Sequence, residues 1–310
     1  MKKSKKIKKA VVTGGAGFIG SNLAKNLLSE NWQVNIIDNF EAGKMSNVPM
    51  GAKIYQTDLR YKENEDTILA ALEGADCVFH LAALPRVQPS IDHPIEYHDA
   101  NVNATLNTLN LSKQAGIKKF ILSSTSAVYG DTNQFPTSEK ANIDPLSPYG
   151  LHKLIGEQYC ALFSKLYDIK TVCLRYFNVF GDNMPLEGAY TLVMGVFAQQ
   201  MLRGEPMTIR GDGEQRRDFV HVDDVSKANI LAATSKKVGN GECINIGSGE
   251  NRSVNQIAEL MGEDKIYVNP VVEPRITLCD NSLAKKLLDW TPENSVEDFM
   301  PWWLKKLGIA

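Results

Sequence analysis

Lys8-Lys9-Ala10-Val11-Val12-Thr13-Gly14-Gly15-Ala16-Gly17-Phe18-Ile19-Gly20 decides how the rest of this 310-residue sequence is read. The apolar run at 10–12 predicts a short buried strand, and Leu23, Leu27 and Leu28 predict an amphipathic helix just after the glycines. Between them, Gly14, Gly17 and Gly20 let the turn close, let the backbone approach a pyrophosphate and let the helix pack on the strand. The helix N-terminus, around Gly17, Phe18 and Ile19, then offers free N–H groups and a partial positive charge to phosphate. A second predicted strand, Val34 to Ile37, ends at Asp38. A carboxylate there accepts hydrogen bonds from ribose hydroxyls and repels a 2′-phosphate, which favours NAD over NADP.

The alternation of strand and helix continues. Strands are expected at Ile54–Gln56, Cys77–Ala83, Phe120–Ser123 and Thr171–Leu174, with helices near Ile68–Leu72, Tyr97–Ala115 and after Tyr149. Repeated units of this kind imply an α/β fold, a Rossmann-type doubly wound parallel sheet that binds its ligand at the carboxyl ends of the strands. Asp38, Asp58, His80, Ser123 to Thr125 and Arg175 to Asn178 all fall at such ends. Past Tyr176 the pattern loosens into a smaller, interleaved C-terminal region. The expected division is 1–175 for the dinucleotide-binding domain, with segments of about 222–246 returning to it, and mainly 176–310 for a substrate-binding region. In that region Arg210 to Asp218 reads as a loop, and the helices near Val254, Ser282 and Val296 as a small lid.

Composition narrows the classes. Six lysines lie in the first nine residues, and without them 28 basic residues face 36 acidic ones. That mildly acidic body disfavours nucleic acid as a partner, and the lysine run reads as a solvated tail. There is no run of about 18 apolar residues, so no membrane span is expected. Five scattered cysteines show neither a disulfide framework nor a metal-ligand spacing, which points to a reducing cytoplasm and no metal.

Ser147-Pro148-Tyr149-Gly150-Leu151-His152-Lys153 supplies a candidate reaction centre. Ser147 suits a helix cap and Pro148 the first helical position. Tyr149 and Lys153 are then one turn apart on one face. An ammonium near a phenol favours the phenolate, so the expectation is a tyrosine whose pKa is lowered toward use as a general base.

Taken together, Thr13–Gly20, Asp58-Leu59-Arg60, His80–Ala83, Ser123–Gly130, Tyr149–Lys153, Arg175–Gly181 and Gly211–Asp224 resemble the extended short-chain dehydrogenase/reductase family, in particular its NAD-dependent nucleotide-sugar 4-epimerases. The resemblance implies that Tyr149 removes the proton of a sugar 4-hydroxyl while C4 gives up a hydride. It implies that Lys153 holds the nicotinamide ribose and that the Thr125 hydroxyl bridges O4 and the tyrosine. It further implies an NAD cradle of Gly14, Gly17, Phe18, Ile19, Asp38, Asn39, Asp58, Leu59, Leu81, Ala82, Ala83, Asn101, Ser123, Tyr149, Lys153 and Tyr176. Relatives that eliminate water carry an Asp-Glu pair just after the catalytic Thr, and nucleotide-sugar decarboxylases a Glu two residues after it. Here those positions are Ser126 and Ala127, which cannot titrate, and that favours epimerisation.

By the same resemblance the UDP-sugar substrate would meet Arg86, Thr125, Ser126, Tyr149, Asn178, Val193, Arg210, Arg217, Arg275 and Thr277. Asn178 and Arg217 would hold the diphosphate. Arg210 stands where relatives often place an aromatic against the base, and Arg275 is either the second diphosphate ligand or its neighbour. Thr277, small where glucose-restricted relatives carry a bulky aromatic, leaves room for an N-acetyl group. The resulting expectation is UDP-GlcNAc/UDP-GalNAc 4-epimerisation, with UDP-Glc/UDP-Gal as further substrates, in a homodimer. The alternatives are a UDP-uronate 4-epimerase, another reductase or dehydratase of the family, or a non-catalytic NAD-sensing protein. His80 reads as a loop-positioning residue, and Trp302 and Trp303 as packing for the last helix.

Overall fold

Val11 and Val12 are fully buried, and so are Ile36 and Ile37 of the second strand and Phe79 of the fourth. Strands apolar on both faces must be covered on both faces, and a parallel sheet between two helix layers does this. The computed structural model describes residues 8–187, 191–270 and 274–309. Along the chain run β1 (Lys9–Thr13), α1 (Phe18–Ser29), β2 (Gln33–Asp38), β3 (Lys53–Gln56), α2 (Glu65–Leu72), β4 (Cys77–His80), α3 (Val87–Asp92), α4 (Pro94–His98), α5 (Ala104–Gln114), β5 (Lys119–Thr125), α6 (Pro148–Leu166) and β6 (Lys170–Tyr176). Then follow β7 (Asn178–Phe180), α7 (Val193–Leu202), β8 (Met207–Arg210), β9 (Arg216–His221), α8 (Val222–Thr234), β10 (Asn240–Ile246), β11 (Asn251–Ser253), α9 (Val254–Met261), β12 (Lys265–Val268), α10 (Ser282–Leu288) and α11 (Val296–Leu307).

The main sheet has seven strands in the order β10-β6-β5-β4-β1-β2-β3, every neighbouring pair parallel. The order reverses between β1 and β4, where Thr13 pairs with His80, so the crevice opens above these two residues. Leu23 and Leu27 of α1 join α8 and α10 in the core on one face, and Ile68, Leu109 and Phe163 of α2, α5 and α6 fill the other. Fully burying one such side chain stabilises by roughly 1.5–3 kcal/mol. A third core, around Phe180, Phe197, Met207, Ile257 and Trp303, ties α7, α9 and α11 to two small sheets, β11-β9-β7 and β12-β8.

Several expectations shift at this level. The loop expected at Arg210–Asp218 ends early, because Arg216, Arg217 and Asp218 already lie in β9, paired with β11. The helix near Ser282 is not lid material: Ala284, Leu288 and the fully buried Trp290 complete the first core. The strand expected to reach Ala83 stops at His80, and the helix expected over 97–115 carries a π-helical turn at Asp99–Asn103, a common mark of functional regions. Trp303 is buried, but Trp302 is half exposed beside Phe299 and Lys306. Lys2, Lys3, Lys5 and Lys6 of the basic tail lie outside the described residues, while Lys8 lies over the Trp32 ring.

Candidate active site

The glycine turn carries the clearest constraint. Gly14 has φ +66°, and a Cβ there would sit 2.8 Å from the Ala82 nitrogen, while one at Gly20 would sit 2.2 Å from the Gly14 oxygen. The turn is therefore packed against both the loop after β4 and its own helix. Gly17 caps α1 without a side chain, and the first turn holds no acidic residue, so its N–H groups face the crevice unneutralised. Asp38 is buried at the end of β2, where its carboxylate accepts the Ala16 and Phe40 N–H groups at 2.9 and 2.8 Å. A carboxylate has about four acceptor positions, so two remain for ribose hydroxyls. A helix start open to phosphate and a carboxylate one strand away fit NAD.

Beyond Asp38, Asn39 donates to Asp58 at 2.9 Å, and the Arg60 guanidinium clamps Asp58 and reaches Glu41. The hydrogen bonds from Arg60 and Asn39 outweigh partial burial and hold the Asp58 carboxyl below its ordinary range. Leu59 is buried beside it, while Leu81, Ala82 and Ala83 line the loop after β4 at intermediate exposure. Two residues expected in the cradle have side chains hydrogen-bonded to protein groups. The Asn101 amide is spent on both backbone groups of Leu84, at 2.8 Å each, and the Tyr176 hydroxyl is held by Asn229. Their polar atoms support the walls of the crevice. His80 does the same, bridging the Thr13 and Thr105 hydroxyls at 2.9 and 3.0 Å; full burial holds its pKa down to about 3, so it is neutral.

Across the crevice, the ends of β5 and α6 meet. The Ser147 hydroxyl accepts the Gly150 N–H and Pro148 opens the helix, so α6 starts where its sequence requires. Lys153 is buried and donates to the Ser123 carbonyl at 2.9 Å, which leaves two of its three donors. Tyr149 interacts with the Thr125 side chain, and Thr125 in turn caps the short turn Ser126–Tyr129 by accepting the Ala127 N–H. Burial pushes the Tyr149 phenol up to about 12, against the pull of Thr125. The expected lowering by Lys153 is thus corrected: the ammonium is drawn to a strand carbonyl, and the cost of burying a phenolate dominates. Burial also lowers Lys153 to about 8, with Glu157 opposing. On the outer side, the Ser90 hydroxyl accepts the Tyr149 N–H at 3.1 Å and Tyr97 donates to the Pro85 carbonyl. These bonds seat the 85–90 loop, in which Arg86 has φ +106°, a conformation costly for any residue but glycine.

Sequence reasoning missed the buried network behind this pair. Glu157 accepts from the Ser124 hydroxyl at 2.5 Å and from two Arg175 nitrogens at 2.9 and 2.7 Å. Arg175 also donates to the Tyr129 hydroxyl, which donates to Asn245. A signal was present, since Glu157 lies four residues past Lys153 as Lys153 lies four past Tyr149.

Of the residues expected to meet substrate, Asn178 opens β7, Arg210 ends β8 and Arg217 lies in β9. Asn178 donates to the Asp218 carbonyl at 2.9 Å and lies 3.4 Å from the Thr277 hydroxyl, which also accepts the Asp218 N–H. Arg217 is partly buried and donates to the Arg216 carbonyl. Arg210 is exposed at the end of β8, Val193 opens α7, and Ser126 lies just after Thr125. Arg275 is exposed and paired through both nitrogens with Asp212, at 2.8 and 2.7 Å. Asp218 itself is fully buried, accepting from Ser248, Gly249 and Cys279, and so ties the turn after β10 and the segment at Cys279 to β9. Among the described residues no group of three or more metal-ligating side chains converges, and no helix is long and apolar enough to cross a membrane.

A doubly wound sheet with a dinucleotide cradle at its switch point and a Tyr–Lys pair across the crevice defines an NAD-binding member of the short-chain dehydrogenase/reductase class. The chain belongs to the NAD dependent epimerase/dehydratase family, which it matches over residues 10–247. It is 39% identical over 295 residues to a putative UDP-glucose 4-epimerase of Methanocaldococcus jannaschii, covering 93% of this chain and 94% of that one. It is 35% identical to a UDP-glucuronate 4-epimerase of Thermodesulfobacterium geofontis, covering 93% and 92%. The solved UDP-N-acetylglucosamine 4-epimerase of Methanobrevibacter ruminantium, in complex with UDP-N-acetylmuramic acid, superposes with a TM-score of 0.89 at 34% identity, covering 97% and 100%.

Proposed function

We propose that this chain is a UDP-sugar 4-epimerase whose substrates are UDP-GlcNAc and UDP-GalNAc, with UDP-Glc and UDP-Gal also accepted. The observation that carries this reading is the junction of β5 and α6. Tyr149, Thr125 and Lys153 converge there, while Ser126 and Ala127 supply no second acid or base. When bound, NAD supplies an acceptor that takes a hydride from sugar C4 and returns it. The protein's own part is proton handling and orientation. Tyr149 takes the 4-hydroxyl proton and gives it back, with the Thr125 hydroxyl as relay between O4 and the phenol. Lys153, with two donors left, orients ribose hydroxyls and keeps a positive charge under the site.

Arg217 and Asn178 hold the diphosphate in this reading, joined by Arg275 once it leaves Asp212, and Arg's fork suits phosphate oxygens. Arg86, Ser126 and Val193 line the sugar, and Arg210 stacks on the base. Thr277, beside Asn178, forms the wall at the C2 substituent, and its small side chain leaves room for an N-acetyl group. We also propose that two copies pair through the helices at 97–115 and 149–167, the second of which exposes Leu151, Leu162 and Leu166.

The test is incubation with UDP-GlcNAc, UDP-Glc, UDP-glucuronate and dTDP-glucose, followed by separation of the C4 epimers. Conversion of UDP-GlcNAc without net NADH formation supports the reading. Conversion of UDP-Glc with UDP-GlcNAc untouched would refute the open wall, and conversion of UDP-glucuronate alone would replace the substrate class.

A further inference from the structure

The end of β5 is stitched to α6 at three consecutive residues. The Ser123 carbonyl accepts from Lys153, the Ser124 hydroxyl donates to Glu157, and the Thr125 side chain meets Tyr149. The middle stitch is the firmest of the three. Glu157 and Arg175 are each only 3% exposed, and the carboxylate accepts three donors, two of them from one guanidinium. Arg175 passes the connection on to Tyr129, Asn245 and, through the Asn245 amide, the Thr137 carbonyl. Thr137 exchanges backbone hydrogen bonds with Leu278 and Asp280, the strip that holds Thr277. One buried polar chain therefore runs from behind the reaction centre to the proposed sugar wall.

Holding two charges out of water is costly, and an apolar pair of the same shape would pack at least as well. Core filling therefore does not explain why this pair stands here, whereas a need for fixed geometry does. Gly156 points the same way: a Cβ there would lie 3.2 Å from Leu122, so helix and strand approach closely one residue from Glu157. Titratable groups face Lys153 from two elements, Glu157 from α6 and His80 from β4, with Arg175 of β6 behind Glu157.

We infer that Glu157, locked by Ser124 and Arg175, is a positioning residue for the Tyr149–Lys153 pair. Its carboxylate fixes the height of α6 over β5, so that the Lys153 ammonium stays against the Ser123 carbonyl with two donors free. It also favours the charged form of Lys153. The inference rests on the epimerase reading given above, and its test separates the two.

The experiment compares the NAD-loaded chain with Glu157→Gln. Because Glu157→Gln leaves Arg175 without its full partner, a double variant, Glu157→Gln with Arg175→Met, removes both charges and serves if the single variant does not fold. Two readouts are taken: the pH profile of kcat beside KM for UDP-GlcNAc or UDP-Glc, and a turnover-independent titration. The second is the 295 nm phenolate absorbance of each protein minus its Tyr149→Phe counterpart. The expected result is kcat lower by about 10- to 100-fold with KM changed less than about threefold. The alkaline fall of kcat moves toward lower pH, since Lys153 without its carboxylate loses its proton earlier, and the Tyr149 titration moves the other way, to higher pH, because a neutral lysine no longer favours the phenolate. An unchanged pH profile and an unchanged Tyr149 titration in a folded variant would overturn the inference. If no UDP-sugar is turned over by the parent chain, the epimerase reading falls, and the Tyr149 titration alone decides the role of Glu157.

Discussion

The ammonium of Lys153 lies 2.9 Å from the carbonyl oxygen of Ser123, so the strand end and the lysine share one of its three donors. A single compact cation can do this while presenting its remaining N–H groups to ribose; a guanidinium, planar and larger, cannot. Lys153→Met is therefore expected to lower kcat by about 100-fold or more, and Lys153→Arg to rescue little of it, in proteins that remain folded. Circular dichroism with initial-rate kinetics checks both.

The glycine turn makes a different prediction. The Cβ of Gly20→Ala would meet the Gly14 carbonyl at 2.2 Å, a backbone atom that cannot swing aside. The expected cost is about 3 kcal/mol, seen as a lower Tm, together with loss of NAD from the purified protein. Retention of NAD at an unchanged Tm would show that the turn is looser than its geometry implies.

Acid stability should depend on His80. Burial holds its folded-state pKa down to about 3, against roughly 6.5 unfolded, so between these values the unfolded chain binds more protons. Stability from His80 is present above about pH 6.5 and is lost as pH falls toward 3. Burial lowers His152 and His221 as well, whereas Asp218, Asp224 and Glu139, raised by burial, act with the opposite sign. Comparison with His80→Asn isolates the one residue: its Tm should fall less steeply from pH 6.5 to 4 than that of the parent. Parallel slopes would rule the assignment out.

Two arginines should separate in kinetics. Arg217→Ala is expected to raise KM by about 10- to 100-fold with kcat nearly kept, as loss of uniform diphosphate binding does. Asp212→Ala removes an exposed ion pair, which contributes little to stability, and sets Arg275 free; KM should fall or hold. A rise in KM with Asp212→Ala would mean that the Arg275–Asp212 pair itself shapes the site.

The nucleotide half of the molecule was legible because its signals are local. Ala10–Thr13, the glycines and Asp38 lie within 30 residues, and each constrains the backbone by itself. Ser147 and Pro148 announced the start of α6 for the same reason. Contacts made by tertiary packing were not legible. The strand Arg216–His221 begins with charged residues, and only pairing with β7 and β11 makes it a strand. Trp290 and α10 belong to the first core, although along the chain α10 lies between α9 and α11, which pack in the third. The sign of the Tyr149 shift also escaped, because spacing brings Tyr149 and Lys153 to one face but says nothing of the burial that disfavours a phenolate there. Glu157 and Arg175 lie 18 residues apart in sequence and meet only in the fold.

The most direct test of the whole account is the conversion of UDP-GlcNAc by the parent chain and by Thr277→Tyr, with C4 epimers separated and NADH followed at 340 nm. The account predicts that the parent forms UDP-GalNAc with no net NADH, and that Thr277→Tyr loses this activity while still interconverting UDP-Glc and UDP-Gal. Failure of the parent to form UDP-GalNAc, or accumulation of NADH in step with product, would contradict it.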